Sequence, residues 1–84
     1  MNMEDFKMDD IAFGTIRIHL KEVMESRNIS INKLSFRAEM QRTQLKKYYR
    51  NEVQRLDIAV LTRLCYALDC DLHDLIEYIP PRKQ

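Results

Sequence analysis

The sequence predicts a single small all-α domain of five short helices. Its 84 residues are enough for one hydrophobic core and too few for two. One glycine and two prolines supply little of the turn chemistry that β-hairpins need, which argues against a β-sandwich or a β-barrel. Apolar residues repeat at helical spacing along most of the chain. Together these observations favour a helical bundle.

Length and composition also exclude several classes of protein. A chain this short does not enclose a substrate as most enzymes do, and we expect no catalysis, no cofactor and no small-molecule substrate. No apolar run approaches the roughly 18 residues that cross a bilayer, so we expect no membrane association. The first ten residues carry four acidic groups and one lysine, the reverse of a signal peptide. We therefore expect a cytoplasmic protein.

The N-terminal region divides into an arm and the start of the domain. Residues 1–12 have no clean apolar period and are predicted to be a loosely ordered arm, residues 13–80 the folded domain, and residues 81–84 a tail. From Thr15 onward the spacing fits either of two structures. One is an amphipathic helix that ends near Asn28, and the other is a short strand that leads into a helix near His19.

A tight break separates the second predicted helix from the third. Ser30 is a suitable N-cap for the second helix, and Leu34 and Ala38 lie one turn apart on its inner side. Residues 38–41 form the break. The third helix then runs from about Arg42 to Arg50.

The fourth and fifth helices each begin at an aspartate. Asp57 caps a helix with a broad apolar stripe, and Asp71 caps a helix whose apolar residues extend to Ile79. The stripes consist of Val60, Leu61, Leu64, Cys65 and Leu68 in the fourth helix and of Leu72, Leu75, Ile76 and Ile79 in the fifth. Pro80 and Pro81 are predicted to end the last helix.

The net charge of +1 hides a segregated distribution. Residues 1–28 and residues 56–84 each have a net charge of −2. Residues 29–55 hold seven basic and two acidic residues, a net charge of +5. The basic block coincides with the second and third helices and the segment that follows them. Such a block is more often a solvated face than a binding site, so the arrangement of its charges on the helices must decide between the two.

The third helix carries its cations on one face. At about 100° per residue, Arg42, Lys46, Lys47 and Arg50 project to one side. Leu45 and Tyr48 project to the other side, where they would contact the core, and Asn51 suits the left-handed residue that ends the helix. Two short helices joined by a tight turn, the second basic on its outer face, are typical of a DNA-binding helix-turn-helix.

These residues carry a resemblance to a known family. The stretch Ile29–Asn51, ISINKLSFRAEMQRTQLKKYYRN, resembles the helix-turn-helix of Cro and phage repressors, also called XRE-like. Its matches fall at Ser30, Leu34, Met40, Leu45 and Tyr48. The segment Arg55–Pro80, RLDIAVLTRLCYALDCDLHDLIEYIP, is similar to the closing helices of a compact bacterial and mobile-element subgroup. The resemblance implies a five-helix lambda-repressor-like fold and a sequence-specific transcriptional regulator, with repression the expected mode.

Three residues depart from the family pattern. Ile31 replaces a glutamine that helps bind phosphate in many members. Glu39 replaces the usual glycine of the turn, where a non-glycine residue at positive φ costs about 1 kcal/mol. Gln41 replaces the usual serine and weakens the N-cap of the third helix. The departures keep open a second hypothesis, a protein-interaction module such as an antitoxin-like subunit.

The resemblance also implies which residues contact double-stranded DNA. The expected base-reading residues are Gln41, Arg42, Thr43, Lys46 and Lys47. The expected phosphate-binding residues are Ser30, Lys33, Arg37, Arg50, Asn51 and Arg55. Operators for such folds are commonly paired half-sites, so we expect a homodimer.

The sequence carries no motif for metal binding or catalysis. His19, His73, Cys65 and Cys70 are the available zinc ligands, but the two cysteines are five residues apart, which is not a usual zinc-finger spacing. A buried structural thiol is the expected role of Cys65. We therefore predict no metal site.

Overall fold

The computed structural model describes residues 12–81. Five helices and two short strands have their bounds within this part of the chain. In chain order they are β1 Thr15–Ile18, α1 Leu20–Arg27, α2 Ile31–Ala38, α3 Arg42–Tyr49, α4 Ile58–Leu68, α5 Leu72–Leu75 and β2 Ile76–Ile79. The number of helices is the predicted one. Apart from residues 12 and 81, the predicted arm and tail lie outside the described residues.

The structure decides between the two alternatives for the start of the domain. Thr15–Ile18 is a strand, and α1 begins two residues later at Leu20. The strand β1 pairs with β2 in antiparallel register, with Thr15 opposite Ile79 and Ile18 opposite Ile76. We call this two-stranded sheet the β-ribbon. It joins the two ends of the described chain.

The fifth helix is shorter than the sequence predicts. Apolar residues between Leu72 and Ile79 have helical spacing, but α5 ends at Leu75 and the next four residues form β2. The prediction of a helix that continues to Ile79 is therefore wrong. Pairing with β1 outweighs the local pattern, and the β-branched Ile76 and Ile79 suit an extended backbone. The prolines that follow thus end a strand.

Each of the helices α1 to α5 contributes a leucine to one core. The fully buried side chains are Leu20, Leu34, Leu45, Leu64, Leu68 and Leu75. Burying a leucine side chain contributes about 1.5 to 3 kcal/mol, so these six dominate the packing. Among residues 12–81 no polar or charged residue is buried. The core is therefore held by apolar contact alone.

The predicted N-caps of α2 and α4 are confirmed. The Ser30 hydroxyl accepts a hydrogen bond from the Lys33 N–H at 3.1 Å. The Asp57 carboxylate accepts from the N–H groups of Ala59 and Val60 at 2.8 and 3.2 Å. These bonds satisfy donors that a helix start leaves free, so both boundaries are fixed by the sequence. None of the helices within 12–81 is long and apolar enough to cross a lipid bilayer.

Asn51 connects the end of α3 to the β-ribbon. Its backbone has φ 60°, the left-handed conformation that the sequence predicts at this position. The side-chain nitrogen donates to the Ile18 carbonyl at 2.8 Å, and the side-chain oxygen accepts from the Ile18 N–H at 2.6 Å. One amide thereby satisfies both backbone groups at the end of β1 and fixes the ribbon against α3.

His19 makes a second connection, between the β-ribbon and α1. Its Nε2 lies 2.6 Å from a carboxylate oxygen of Glu77, and its Nδ1 lies 3.1 Å from a carboxylate oxygen of Glu22. The hydrogen bond to Glu77, and then that to Glu22, raises the pKa of His19 above its ordinary value. The hydrogen bond between His19 and Glu22 also lowers the pKa of Glu22. The imidazole thus connects β2 to α1, and the connection is stronger when His19 is protonated.

Removing the Asn51 amide should destabilise the fold. Asn51→Ala loses two hydrogen bonds and keeps a side chain at positive φ, so we expect the free energy of unfolding to fall by about 2 kcal/mol. Asn51→Gly loses the same bonds without the backbone strain and should be more stable than the alanine variant by about 1 kcal/mol. Urea unfolding measures both. Wild-type stability in the alanine variant would contradict the assignment.

The stability of the protein should also depend on pH through His19. The pKa of His19 in the folded protein is raised above 6.5. The contribution of protonated His19 to the free energy of unfolding is therefore fully present below about pH 6.5 and is lost as the pH rises through the folded pKa. The pKa of Glu22 is lowered in the folded protein. Ionised Glu22 therefore contributes to the stability above about pH 4.5, and this contribution is lost as the pH falls through its folded pKa. The stability advantage over His19→Gln, measured by urea unfolding, should be largest between these values. An advantage that does not vary with pH would contradict this role.

Candidate nucleic-acid interface

The turn between α2 and α3 is tight and held by local hydrogen bonds. Glu39 ends α2 with φ 53°, so the residue in the position of the usual glycine does adopt the left-handed conformation. The Met40 N–H donates to the Ser35 carbonyl at 3.1 Å, and the Ser35 hydroxyl donates to the Met40 carbonyl at 2.5 Å. The Met40 side chain is buried. These contacts offset the strain at Glu39, which is of order 1 kcal/mol.

Helix α3 has one buried face and one exposed basic face. Leu45 and Tyr48 are 0% and 4% exposed and anchor the helix on the core. The side chains of Arg42, Thr43, Gln44, Lys46 and Lys47 are all exposed. No acidic residue lies in α3. The exposed face therefore has a wholly positive charge and contains several hydrogen-bond donors.

No side-chain hydrogen bond caps the start of α3. Gln41 occupies the N-cap position with an extended backbone, and its side chain makes no capping hydrogen bond. The weak cap predicted from the sequence is thus confirmed. Arg42 donates from Nη1 to Oδ1 of Asn32 at 2.9 Å, which ties the first turn of α3 to the first turn of α2.

Comparison with known protein families gives one match of high coverage. The family described as the Cro/C1-type HTH DNA-binding domain matches residues 19–81, three quarters of the chain. The chain belongs to this family. The match contains both helices of the helix-turn-helix, all of α4 and α5, and β2. No curated protein matches the chain.

The expected base-reading residues of this Cro/C1-type domain form one exposed strip. Gln41, Arg42 and Thr43 lie at the start of α3, and Lys46 and Lys47 lie one turn further on. Gln44, which was not among the expected residues, is exposed on the same helix. The helix-turn-helix thus presents the whole set to solvent, with nothing in the described part of the chain packed over it.

The expected phosphate-binding residues fall into three groups. Ser30, Lys33 and Arg37 lie on the exposed side of α2 and at its N-cap. Arg50 and Arg55 are exposed in the segment that follows α3. Asn51 is exposed, and both polar atoms of its amide are hydrogen-bonded to Ile18. The amide nitrogen has a second N–H, so its contact with a phosphate stays a prediction.

Asn32 is a residue that sequence reasoning missed. It is exposed in the first turn of α2, and its contact with Arg42 joins residues ten apart in the sequence. The contact depends on the angle between α2 and α3, which no local pattern reports. By accepting from the guanidinium, Asn32 restricts where the Arg42 side chain points.

The cysteines and histidines do not assemble into the zinc set that the sequence offered. Within residues 12–81 the one cluster of three potential ligands is Asp71, His73 and Asp74, all exposed. Cys65 and Cys70 are half-buried free thiols. Burial, with a smaller effect of Cys65, raises the pKa of Cys70 to about 11. At neutral pH this side chain is a thiol, which is the less reactive form.

Proposed function

We propose that this Cro/C1-type domain binds double-stranded DNA in a sequence-specific manner with α3 in the major groove, and that it represses transcription. One observation carries the proposal. The exposed face of α3 consists of cations and hydrogen-bond donors without an acidic residue, while its other face is anchored by Leu45 and Tyr48. Like charges crowded on one helix repel one another unless a polyanion neutralises them.

The base-reading roles follow from side-chain chemistry. Arg42 can donate two hydrogen bonds to guanine, and Gln41 can exchange two with adenine. The Thr43 methyl group can contact the methyl group of thymine. Lys46 and Lys47 lie one turn further along, where they reach base edges of the neighbouring pairs. The hydrogen bond to Asn32 restricts the orientation of the Arg42 guanidinium, which favours one geometry of its contact with a base.

We propose that the phosphate contacts are made by residues that flank the base-reading residues, on α2 and in the segment after α3. Ser30, Lys33 and Arg37 on α2 would hold one strand of the duplex, and Arg50 and Arg55 would hold the other. Such contacts fix the register of the protein on DNA and carry no sequence information themselves. Repression then requires only that the bound protein occupies DNA that the transcription machinery needs, in the compartment that holds the DNA.

We also propose that the protein acts as a homodimer. One α3 reads only a short run of base pairs, and a two-fold pair of domains doubles the site when the half-sites are one helical turn apart. The expected operator is therefore a palindrome or near-palindrome. Light scattering coupled to size exclusion measures the mass in solution, and a mass near 10.1 kDa at all concentrations would contradict dimerisation.

A protein-interaction module is the second candidate, and an exposed apolar pair favours it. Phe36 and Tyr66 are each 85% exposed and line one open cleft of about 720 Å³ with Met40. Exposed aromatic side chains are common at protein interfaces. Arg37 and Gln41, two of the expected DNA contacts, also line this cleft, so a partner protein seated there would compete with DNA. DNA binding would be absent if this were the main activity.

Titration against random-sequence duplex separates the two candidates. Neutralising about five phosphates predicts that the logarithm of the binding constant falls with the logarithm of the salt concentration at a slope of about −4 to −5. Fluorescence anisotropy at a series of salt concentrations measures this slope. Undetectable binding at low salt, or an affinity that does not fall as salt rises, would contradict DNA binding.

The two arginines of the helix-turn-helix should have different effects. Arg42→Ala should weaken binding to the preferred site by about 1 to 3 kcal/mol and relax the base preference, since a base contact is lost. Arg37→Ala should weaken binding to all sequences alike, since a phosphate contact is lost. Binding of both variants to a randomised duplex library measures the difference. Equal profiles would contradict the assignment of Arg42.

A further inference from the structure

A groove lies between the β-ribbon and the C-terminal end of α3. It has a volume of about 380 Å³ and is lined by Thr15, Ile16, Arg17, Arg50 and Asn51. The hydrogen bonds between Asn51 and Ile18 hold its two walls together. The groove is thus part of the folded domain and adjoins the helix that we propose to enter the major groove.

Two arginines line this groove. The pKa of Glu22 is lowered mainly by its hydrogen bond with His19, and the charge of Arg17 is the smallest of the causes. Arg17 on β1 and Arg50 at the end of α3 are both exposed, and within residues 12–81 neither forms an ion pair. Glu77 lies opposite Arg17 in the ribbon and would be its natural partner. That carboxylate is instead bound to His19, as is the carboxylate of Glu22. Two neighbouring cations therefore face solvent together.

The backbone of β1 adds a donor to the same edge. The His19 N–H donates to the Leu75 carbonyl, so in this antiparallel register the pairs hydrogen-bonded across the ribbon are those at Arg17 and Thr15. The N–H groups of Ile16 and Ile18 point away from β2. That of Ile18 is taken by Asn51, and that of Ile16 lies on the same edge, in the lining of the groove.

We infer that this groove binds one phosphate of the DNA backbone, held by Arg17, Arg50 and the Ile16 N–H. The inference rests on the proposed function and extends it to the β-ribbon, because β1 precedes the residues that match the family. Arg42 and Arg50 are eight residues apart, which is about 12 Å along a helix and close to the width of the major groove. When the start of α3 reads bases, its end reaches the phosphates at the rim of the groove.

The test compares two cations of equal charge. Arg17→Ala should reduce the steepness with which the logarithm of the binding constant for random-sequence duplex falls against the logarithm of the salt concentration, by about 0.9. The ratio of wild-type to variant affinity should therefore shrink about threefold between roughly 50 and 200 mM salt. Lys21→Ala removes an exposed cation of α1 that does not line the groove and should leave the slope unchanged. Arg17→Lys should restore most of the slope. Thermal unfolding checks each variant, and Arg17→Gln repeats the test if Arg17→Ala unfolds.

The outcomes distinguish this inference from the proposed function. Wild-type protein that binds no DNA overturns both. Wild-type protein with a steep slope, together with an Arg17→Ala variant that behaves like Lys21→Ala, overturns the phosphate groove alone. In the double variant Arg17→Ala with Arg50→Ala, the loss of affinity should be smaller than the product of the two separate losses, because both side chains hold one phosphate. Fully independent losses overturn the shared site.

Discussion

The paired hydrogen bonds between the Asn51 amide and the Ile18 backbone are the constraint on which the arrangement of this domain depends. They join Asn51, two residues after the end of α3, to the last residue of β1, across 33 positions of sequence. Asparagine suits the position because it tolerates a positive φ and also offers one donor and one acceptor side by side. Through this amide, the position of the β-ribbon is fixed relative to the position of α3.

Two surfaces depend on the placement of α3. The first is the outer face of α3, whose direction is set by the buried Leu45 and Tyr48. The second is the groove between α3 and β1, which exists because Asn51 keeps the ribbon close. A rigid relation between the proposed base-reading face and the proposed phosphate groove would be useful, since phosphate contacts set the register in which bases are read. The family match covers the first surface and stops short of β1.

Much of the fold could be predicted because its signals are local. Ser30 and Asp57 cap helices as their side-chain chemistry predicts, and Asn51 adopts the left-handed conformation expected after α3. The strand β2 could not be predicted, because Leu72–Ile79 has the spacing of a helix and the competing partner, β1, lies almost sixty residues earlier. Local periodicity does not report a contact of that range.

The candidate site divides in the same way. The basic face of α3 is a property of helical spacing, so the sequence alone identifies it. The contact between Asn32 and Arg42, the use of the Asn51 amide and the exposure of Arg17 all depend on how separate elements pack. Arg17 forms no ion pair within the described residues, and the carboxylates of Glu22 and Glu77 are hydrogen-bonded to His19. These features depend on tertiary contacts between distant residues, which the local sequence pattern does not report.

Selection of bound duplexes from a random pool measures whether the start of α3 reads base edges, as we propose. We expect enrichment of a short motif, in most selected molecules as two inverted copies about one helical turn apart. We expect the Arg42→Ala variant to enrich a motif with reduced preference at one position of each copy. Selected pools without any recurring motif, at a salt concentration where the protein binds duplex, would contradict base reading by α3.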